Sequence, residues 1–237
     1  SGNVYVMEYY NNRIKVFDSS GAYLRSFGGY GNACYQWQYA RQFTIYNDVV
    51  YIADTYGRKV KSLTLTGQCK DIWFTGQYPH AIAANNNYVF VGHPSNNISI
   101  LDHRLNQRTT RSINSNYLSY SWGMSINPAG NRLAIADYNK NHVVEFSISG
   151  DWLAYTQKTS STYSSGNGYF QRPTDTGYDS SGNIYVSDLY AHRVQKFNSS
   201  LSYQGKVGSY STSSGFRYPY GMHVDSNDKV YATDFYN

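Results

Sequence analysis

Apolar and polar residues alternate with period two along most of the chain, in short runs separated by turns rich in Gly, Asn, Asp and Ser. Arg13-Ile14-Lys15-Val16-Phe17, Lys59-Val60-Lys61-Ser62-Leu63, His142-Val143-Val144-Glu145-Phe146 and Arg193-Val194-Gln195-Lys196-Phe197 are examples. Such alternation, with β-branched and aromatic side chains, predicts half-buried strands. Continuous apolar runs, such as Val49-Val50-Tyr51-Ile52-Ala53, fall far short of the roughly 18 residues a membrane helix needs. No membrane span is therefore predicted.

The pattern repeats. Segments ending at Glu8, Asp54, Gly92, Asp137, Asp188 and Asp234 align, each an apolar run closing, in all but the third, on an acid. Their mean spacing is about 45 residues, within the blade length of propeller repeats. In each unit a polar turn and a second alternating run follow the acid. A Gly-containing turn then leads to a third run, such as Tyr23-Leu24-Arg25-Ser26-Phe27. A further strand precedes the acidic segment, as in Pro79-His80-Ala81-Ile82-Ala83 and Pro219-Tyr220-Gly221-Met222-His223-Val224. Four strands per unit, repeated radially, predict an all-β protein of the β-propeller class with four-stranded antiparallel blades.

Residues 182–197, Gly-Asn-Ile-Tyr-Val-Ser-Asp-Leu-Tyr-Ala-His-Arg-Val-Gln-Lys-Phe, and the matching stretch at 2–17 closely resemble NHL repeats. The resemblance covers nearly the whole chain and is strong in four units. It is weakest in the third, where Gly92 replaces the acid and Asn97 the basic residue, so distortion is expected there. Counting strands gives a first unit without its innermost strand and a last unit that stops after its second, 21 strands in all. Six periods would occupy roughly 270 residues. Residues 1–237 are read as one propeller domain, six-bladed with incomplete terminal blades, cut from a longer chain or completed by strands of a partner. The alternative is a five-bladed closure.

Composition narrows the setting. The chain has 237 residues, 17% aromatic with 27 tyrosines and only 15% charged, against about 25% charge in ordinary domains; aromatic richness of this kind excludes a disordered tail. The net charge of +5 suggests nucleic acid, but the cations are scattered without a basic run, which argues against a nucleic-acid partner. Cys34 and Cys69 are compatible with one disulfide and equally with two buried free thiols. Asn97-Ile98-Ser99 and Asn198-Ser199-Ser200 are glycosylation sequons in polar, turn-rich stretches. Together with the Tyr, Asn, Ser and Gly richness, they point to an extracellular or cell-surface protein.

Candidate chemistry is sparse. The acid and a basic residue five positions on (Glu8 with Arg13, Asp54 with Lys59, Asp137 with His142, Asp188 with Arg193) flank a tight turn. There a carboxylate accepts turn N–H groups and pairs with the cation. Recurrence in almost every unit makes this a structural device rather than a catalytic one. Tyrosines follow the acid (Tyr10, Tyr56, Tyr138, Tyr190, Tyr236) and lead into inner strands (Tyr39, Tyr78, Tyr218, Tyr220). In a propeller these two loop sets share a face. With Trp122, His80, Arg41 and Arg172 they would line a surface suited to sugars, peptides or bases, unless the rings pack between blades.

Some proteins similar to NHL propellers are amidating lyases that hold zinc with histidines around the channel, some in a Pro-His pair opening an inner strand. Only Pro79-His80 matches that pair here, and His223 lies further along its strand. His93, His103, His142 and His192 are expected at the surface of outer turns. Asp175 is a lone carboxylate near the channel, short of the several oxygen ligands a calcium site needs. No metal site, catalytic residue or cofactor is assigned. The expected function is recognition or assembly through one loop face, with a protein, a glycan or the chain itself in a homo-oligomer or filament as partner. An RNA-binding propeller and a metal-dependent lyase or hydrolase are the alternatives that the resemblance implies.

Overall fold

The computed structural model describes residues 2–211 and 215–236. Among them, 21 strands and no helix form six antiparallel sheets. The first holds β1 (Val4–Glu8), β2 (Arg13–Phe17) and β3 (Tyr23–Gly28). The second holds β4 (Gln42–Tyr46), β5 (Val49–Asp54), β6 (Lys59–Thr64) and β7 (Cys69–Phe74). The third holds β8 (Ala81–Ala84), β9 (Val89–Gly92), β10 (Asn97–Leu101) and β11 (Gln107–Ser112). The fourth holds β12 (Ser121–Ile126), β13 (Arg132–Asp137), β14 (His142–Ser149) and β15 (Trp152–Lys158). The fifth holds β16 (Pro173–Tyr178), β17 (Ile184–Asp188), β18 (Arg193–Phe197) and β19 (Tyr203–Val207), and the sixth β20 (Pro219–Val224) and β21 (Val230–Asp234).

The fold is a β-propeller. Strands β4, β8, β12, β16 and β20 converge on one axis, so five blades reach the channel, as the five-bladed alternative requires. The sheet β1–β3 stands beside them without an inner strand of its own. The third blade is complete rather than distorted: with Gly92 in place of the acid, buried His93 bonds Ser99 Oγ at 2.9 Å and fills the gap.

Burial lies between blades, as alternation demands. Phe90, Ile98 and Ile100 of the third blade pack against Leu133, Ile135, Val144 and Phe146 of the fourth. Ala134 and Val143 in turn meet Ile184, Val186 and Phe197 of the fifth. Inner strands approach so closely that Gly123 is obligatory, since a Cβ there would stand 2.3 Å from the Thr174 carbonyl oxygen. Cys34 and Cys69 form a disulfide that ties the β3–β4 connection to the first residue of β7. Closing a loop with a sequence separation of 35 residues contributes roughly 4 kcal/mol on chain-entropy grounds.

One amide fastens the inner ring. Gln42 Oε1 accepts from the backbone N–H of Ile82 at 2.7 Å and of Met124 at 3.3 Å. Its Nε2 donates to the Met124 carbonyl at 3.0 Å and to Asp175 Oδ1 at 2.9 Å. Asp175 Oδ2 accepts from Met222 N at 2.9 Å. All five inner strands are thus joined through two side chains. Asp175 belongs to this knot, where burial pushes its carboxyl up to about 7.

Candidate recognition face

The acids that close the second strands fix the loops at one end of the molecule. Asp54 Oδ1 accepts from Gln38 N at 2.7 Å, Asp137 Oδ2 from Ser119 N at 2.6 Å, Asp188 Oδ1 from Gln171 N at 2.6 Å, and Asp234 from Arg217 N at 2.8 Å. Each carboxylate therefore pins the segment leading into its own blade's inner strand.

The next residue in three of those segments is a non-glycine in the left-handed region: Tyr39 (φ 51°), Arg172 (φ 64°) and Tyr218 (φ 68°). Such a conformation costs on the order of 1–3 kcal/mol and persists only when its surroundings enforce it. The enforcement comes from the preceding sheet. Asn12 Oδ1 accepts Tyr39 N, Asn141 Oδ1 accepts Arg172 N at 3.2 Å, and His192 Nδ1 accepts Tyr218 N at 3.1 Å. These side chains are aimed by backbone geometry on two blades.

The cation partners differ in part from the expected five-residue spacing. Arg13 pairs with Glu8, and Arg193 Nε meets Asp188 at 2.9 Å. Asp54 instead pairs with buried Lys61 at 2.8 Å, while Lys59 turns outward over Phe74. Positions five and seven after the acid lie on the same face of the strand, so either can reach it. Lys15 and Gln195 likewise contact Glu8 and Asp188 from the seventh position. In the fourth unit the turn acid Asp137 meets only His142 as a candidate cation, at 3.9 Å, and among the described residues makes no ion pair at neutral pH. His142 is fully buried; its Nε2 donates to Tyr117 O and its Nδ1 accepts from Ser161 Oγ, both at 2.9 Å, and burial lowers its pKa to about 4. His93, 1% exposed and lowered to about 4, is equally interior. Both correct the surface placement expected of them: His142 opens β14 and is covered by the segments holding Tyr117 and Ser161, whereas His93 follows β9 directly and turns inward onto Ser99 of β10.

Residues just after the acid divide by position. The second residue points out: Tyr10, Tyr56, Tyr190 and Tyr236 are 70, 51, 44 and 58% exposed. The first is more enclosed, with Tyr9 and Tyr138 half-buried. Tyr9, Tyr120, Phe235 and Arg58 were not singled out in the sequence, although Tyr9 and Phe235 occupy the position of Tyr138.

The rings form one connected web. Tyr78 touches Tyr56, Tyr56 touches Tyr39, and Tyr39 touches Tyr9, with centroids 5.4–5.9 Å apart. Contacts continue through Tyr10 and Phe235 to Tyr220 and Trp122. Tyr190 joins through Tyr218 and Tyr236, and His80 lies edge-on to Tyr120 and Trp122. At the centre is a four-member stack. Arg41 lies 4.4 Å over Trp122, Trp122 stacks on Tyr138 at 4.2 Å, and Arg172 covers Tyr138 at 4.8 Å. Tyr39, Arg41, Tyr56, Tyr78, His80, Trp122, Tyr138, Arg172, Tyr190 and Tyr220 all meet in this web.

Electrostatics keep the face cationic. Burial raises Tyr9 and Tyr138 to about 12, so their phenols remain neutral. Burial, with the Arg41 charge beside it, lowers His80 to about 3 and leaves its ring neutral. A groove of about 570 Å³ opens between Tyr190, Arg217, Tyr218, Tyr220, Phe235 and Tyr236.

Other candidates lie elsewhere. His223 lines a cavity of about 330 Å³ with Tyr46, Asn86, Asn127 and Tyr178 beyond the Gln42–Asp175 knot, away from His80. Among the described residues, no three His, Cys, Asp or Glu side chains are placed to hold a metal ion together. Asn97 opens β10 with Ser99 buried behind it, and Asn198 sits in a turn where its Oδ1 accepts from Ser200 N and Ser202 N.

Residues 170–197 match the NHL repeat family. No curated protein is similar to the chain. Among solved structures, a selenomethionine-substituted virginiamycin B lyase from Staphylococcus aureus is similar with a TM-score of 0.65 at 14% identity, over 93% of this chain and 70% of that one. A Bacteroides thetaiotaomicron protein of unknown function has a TM-score of 0.74 at 13% identity, over 99% of this chain and 64% of that one. A streptogramin B lyase has a TM-score of 0.68 at 10% identity, over 100% of this chain and 80% of that one. At such identities the likeness is one of fold. The chain carries an NHL repeat within a β-propeller.

Proposed function

We propose that this propeller is an extracellular recognition module that holds a glycan or protein partner on its aromatic end. The observation that carries the reading is the connected web of rings, whose outer tyrosines are exposed while their backbones are pinned by the turn carboxylates. Rigid tyrosines give large amphipathic contact area at low entropic cost. The Cys34–Cys69 bridge supports an oxidising compartment. The test is retention on a panel of immobilised neutral and acidic polysaccharides and of proteins from extracellular fluid. Tyr56→Ser with Tyr190→Ser is expected to lower affinity at least tenfold with an unchanged melting temperature. A wild-type protein that binds nothing on the panel ends the reading.

A second reading is a lyase or hydrolase in which His80, neutral and buried beside the Arg41 guanidinium, takes a proton from bound substrate; with its pKa lowered to about 3 it is a weak base, which places this reading second. It predicts turnover of a bound substrate that disappears in His80→Ala. Binding without turnover decides for the first reading.

A further inference from the structure

Resting on the recognition reading, we propose that Arg41 is the centre of an anion subsite and that the partner is an acidic polysaccharide, bound through a carboxylate or sulfate on its sugar ring. Arg41 is held without a counter-ion. Its guanidinium is fixed by stacking on Trp122 and by donating from one Nη to Tyr220 Oη at 2.7 Å. Among the described residues no carboxylate makes a salt bridge with it, and its buried Nε has no acceptor. Nε is itself buried, so the point of contact is the second Nη, which among the described residues is neither bonded nor buried and can donate to an anion. Beside it His80, only 5% exposed, keeps an Nδ1 with no hydrogen-bond partner. Its ring is neutral, so it neither compensates the Arg41 charge nor adds to it.

The rest of the face has the same sign. Arg58 lies over Tyr78 and donates to its hydroxyl, and Arg172 donates to Tyr138 O and Asn139 Oδ1; neither meets a carboxylate among the described residues. The acids that would neutralise them, Asp54, Asp137 and Asp188, are wholly buried beneath, occupied with turn amides. An uncompensated positive surface selects an anionic partner.

Two observations favour sugar over nucleic acid. Trp122 is covered on one face by Arg41 and on the other by Tyr138, and Tyr138 by Trp122 and Arg172, so the central stack offers no open ring face for a nucleobase. Around that stack Tyr10, Tyr56, Tyr190 and Tyr236 stand 44–70% exposed beside the guanidinium groups, and such rings and phenol hydroxyls suit sugars that carry anions. The disulfide adds a compartment in which acidic polysaccharides are the abundant polyanions.

The test pairs each polyanion with its neutral counterpart: polygalacturonate with its methyl ester, and dextran sulfate with dextran, with single-stranded RNA as a fifth probe. Affinity electrophoresis or calorimetry on the intact protein reads the outcome. Expected are binding to at least one polyanion, at least tenfold weaker binding to its neutral partner, and a further tenfold loss in Arg41→Gln that Arg41→Lys restores only in part. The neutral polymers test wild type alone and so do not depend on the variants folding. Equal binding of charged and neutral polymers, lost in Tyr56→Ser but not in Arg41→Gln, overturns the anion subsite and leaves the recognition face standing. RNA bound more tightly than every saccharide also overturns it, and absence of any binding removes both.

Discussion

Three histidines, His80, His93 and His142, are buried with pKa values lowered to about 3, 4 and 4, chiefly by desolvation. In the unfolded chain each titrates near 6.5. A depressed histidine contributes stability that is complete above that value and is lost as pH falls toward the folded one. Asp175 runs the other way: raised to about 7 from an ordinary 3.8, it favours folding fully below 3.8 and progressively less as pH rises to 7. Asp188, raised to about 6 by burial, acts with Asp175, but His192, His223 and the lowered carboxyls of Glu8, Asp18, Asp102, Asp179 and Asp225 act with the three histidines and decide the balance. The melting temperature is expected to fall between pH 6.5 and 4, and His93→Gln to flatten that fall. An Asp175→Asn variant is expected to steepen it, because it removes an opposing titration. Thermal scans across that range, read by circular dichroism, check both.

At the scale of the strand, the telling contact is Lys61 with Asp54, both wholly buried. Lys61 Nζ also donates to Ala33 O at 3.1 Å and to Gln36 O, tying β6 to the loop before β4. Lys61→Met would leave a buried carboxylate without its cation, at a cost of about 3–5 kcal/mol. Lys59→Met, which the five-residue spacing would make the damaging change, is expected to cost little. Urea unfolding of the two variants separates them. The sequence showed the acid, the turn and the strand, because those are local. Which of two same-face cations reaches the acid depends on the lobe folded over it, and that lobe belongs to the segment between two strands. The same limit hid His142, which reads as a turn residue until the segments of Tyr117 and Ser161 cover it, and His93, which reads as one until it turns inward onto Ser99. Tyr9 and Phe235 were missed for a simpler reason, since the register separating inward from outward positions after the acid is visible only when all units are aligned on one axis.

For the whole molecule, strand number, blade order and the gathering of aromatic and arginine residues at one end were legible, because each follows from a repeat with fixed phase. The closure was not. Whether five or six inner strands surround the axis turns on long-range contacts of Gln42 and Asp175, residues 133 positions apart, and no local pattern encodes that pairing. That knot also limits what the molecule can do with a long partner. It separates the His223 cavity from the aromatic end, so a polymer has no passage down the axis and must lie across the surface. Binding of that kind engages the interior of a chain and is indifferent to its termini. If the proposed glycan reading holds, a polysaccharide is expected to bind as readily after its reducing ends are capped as before.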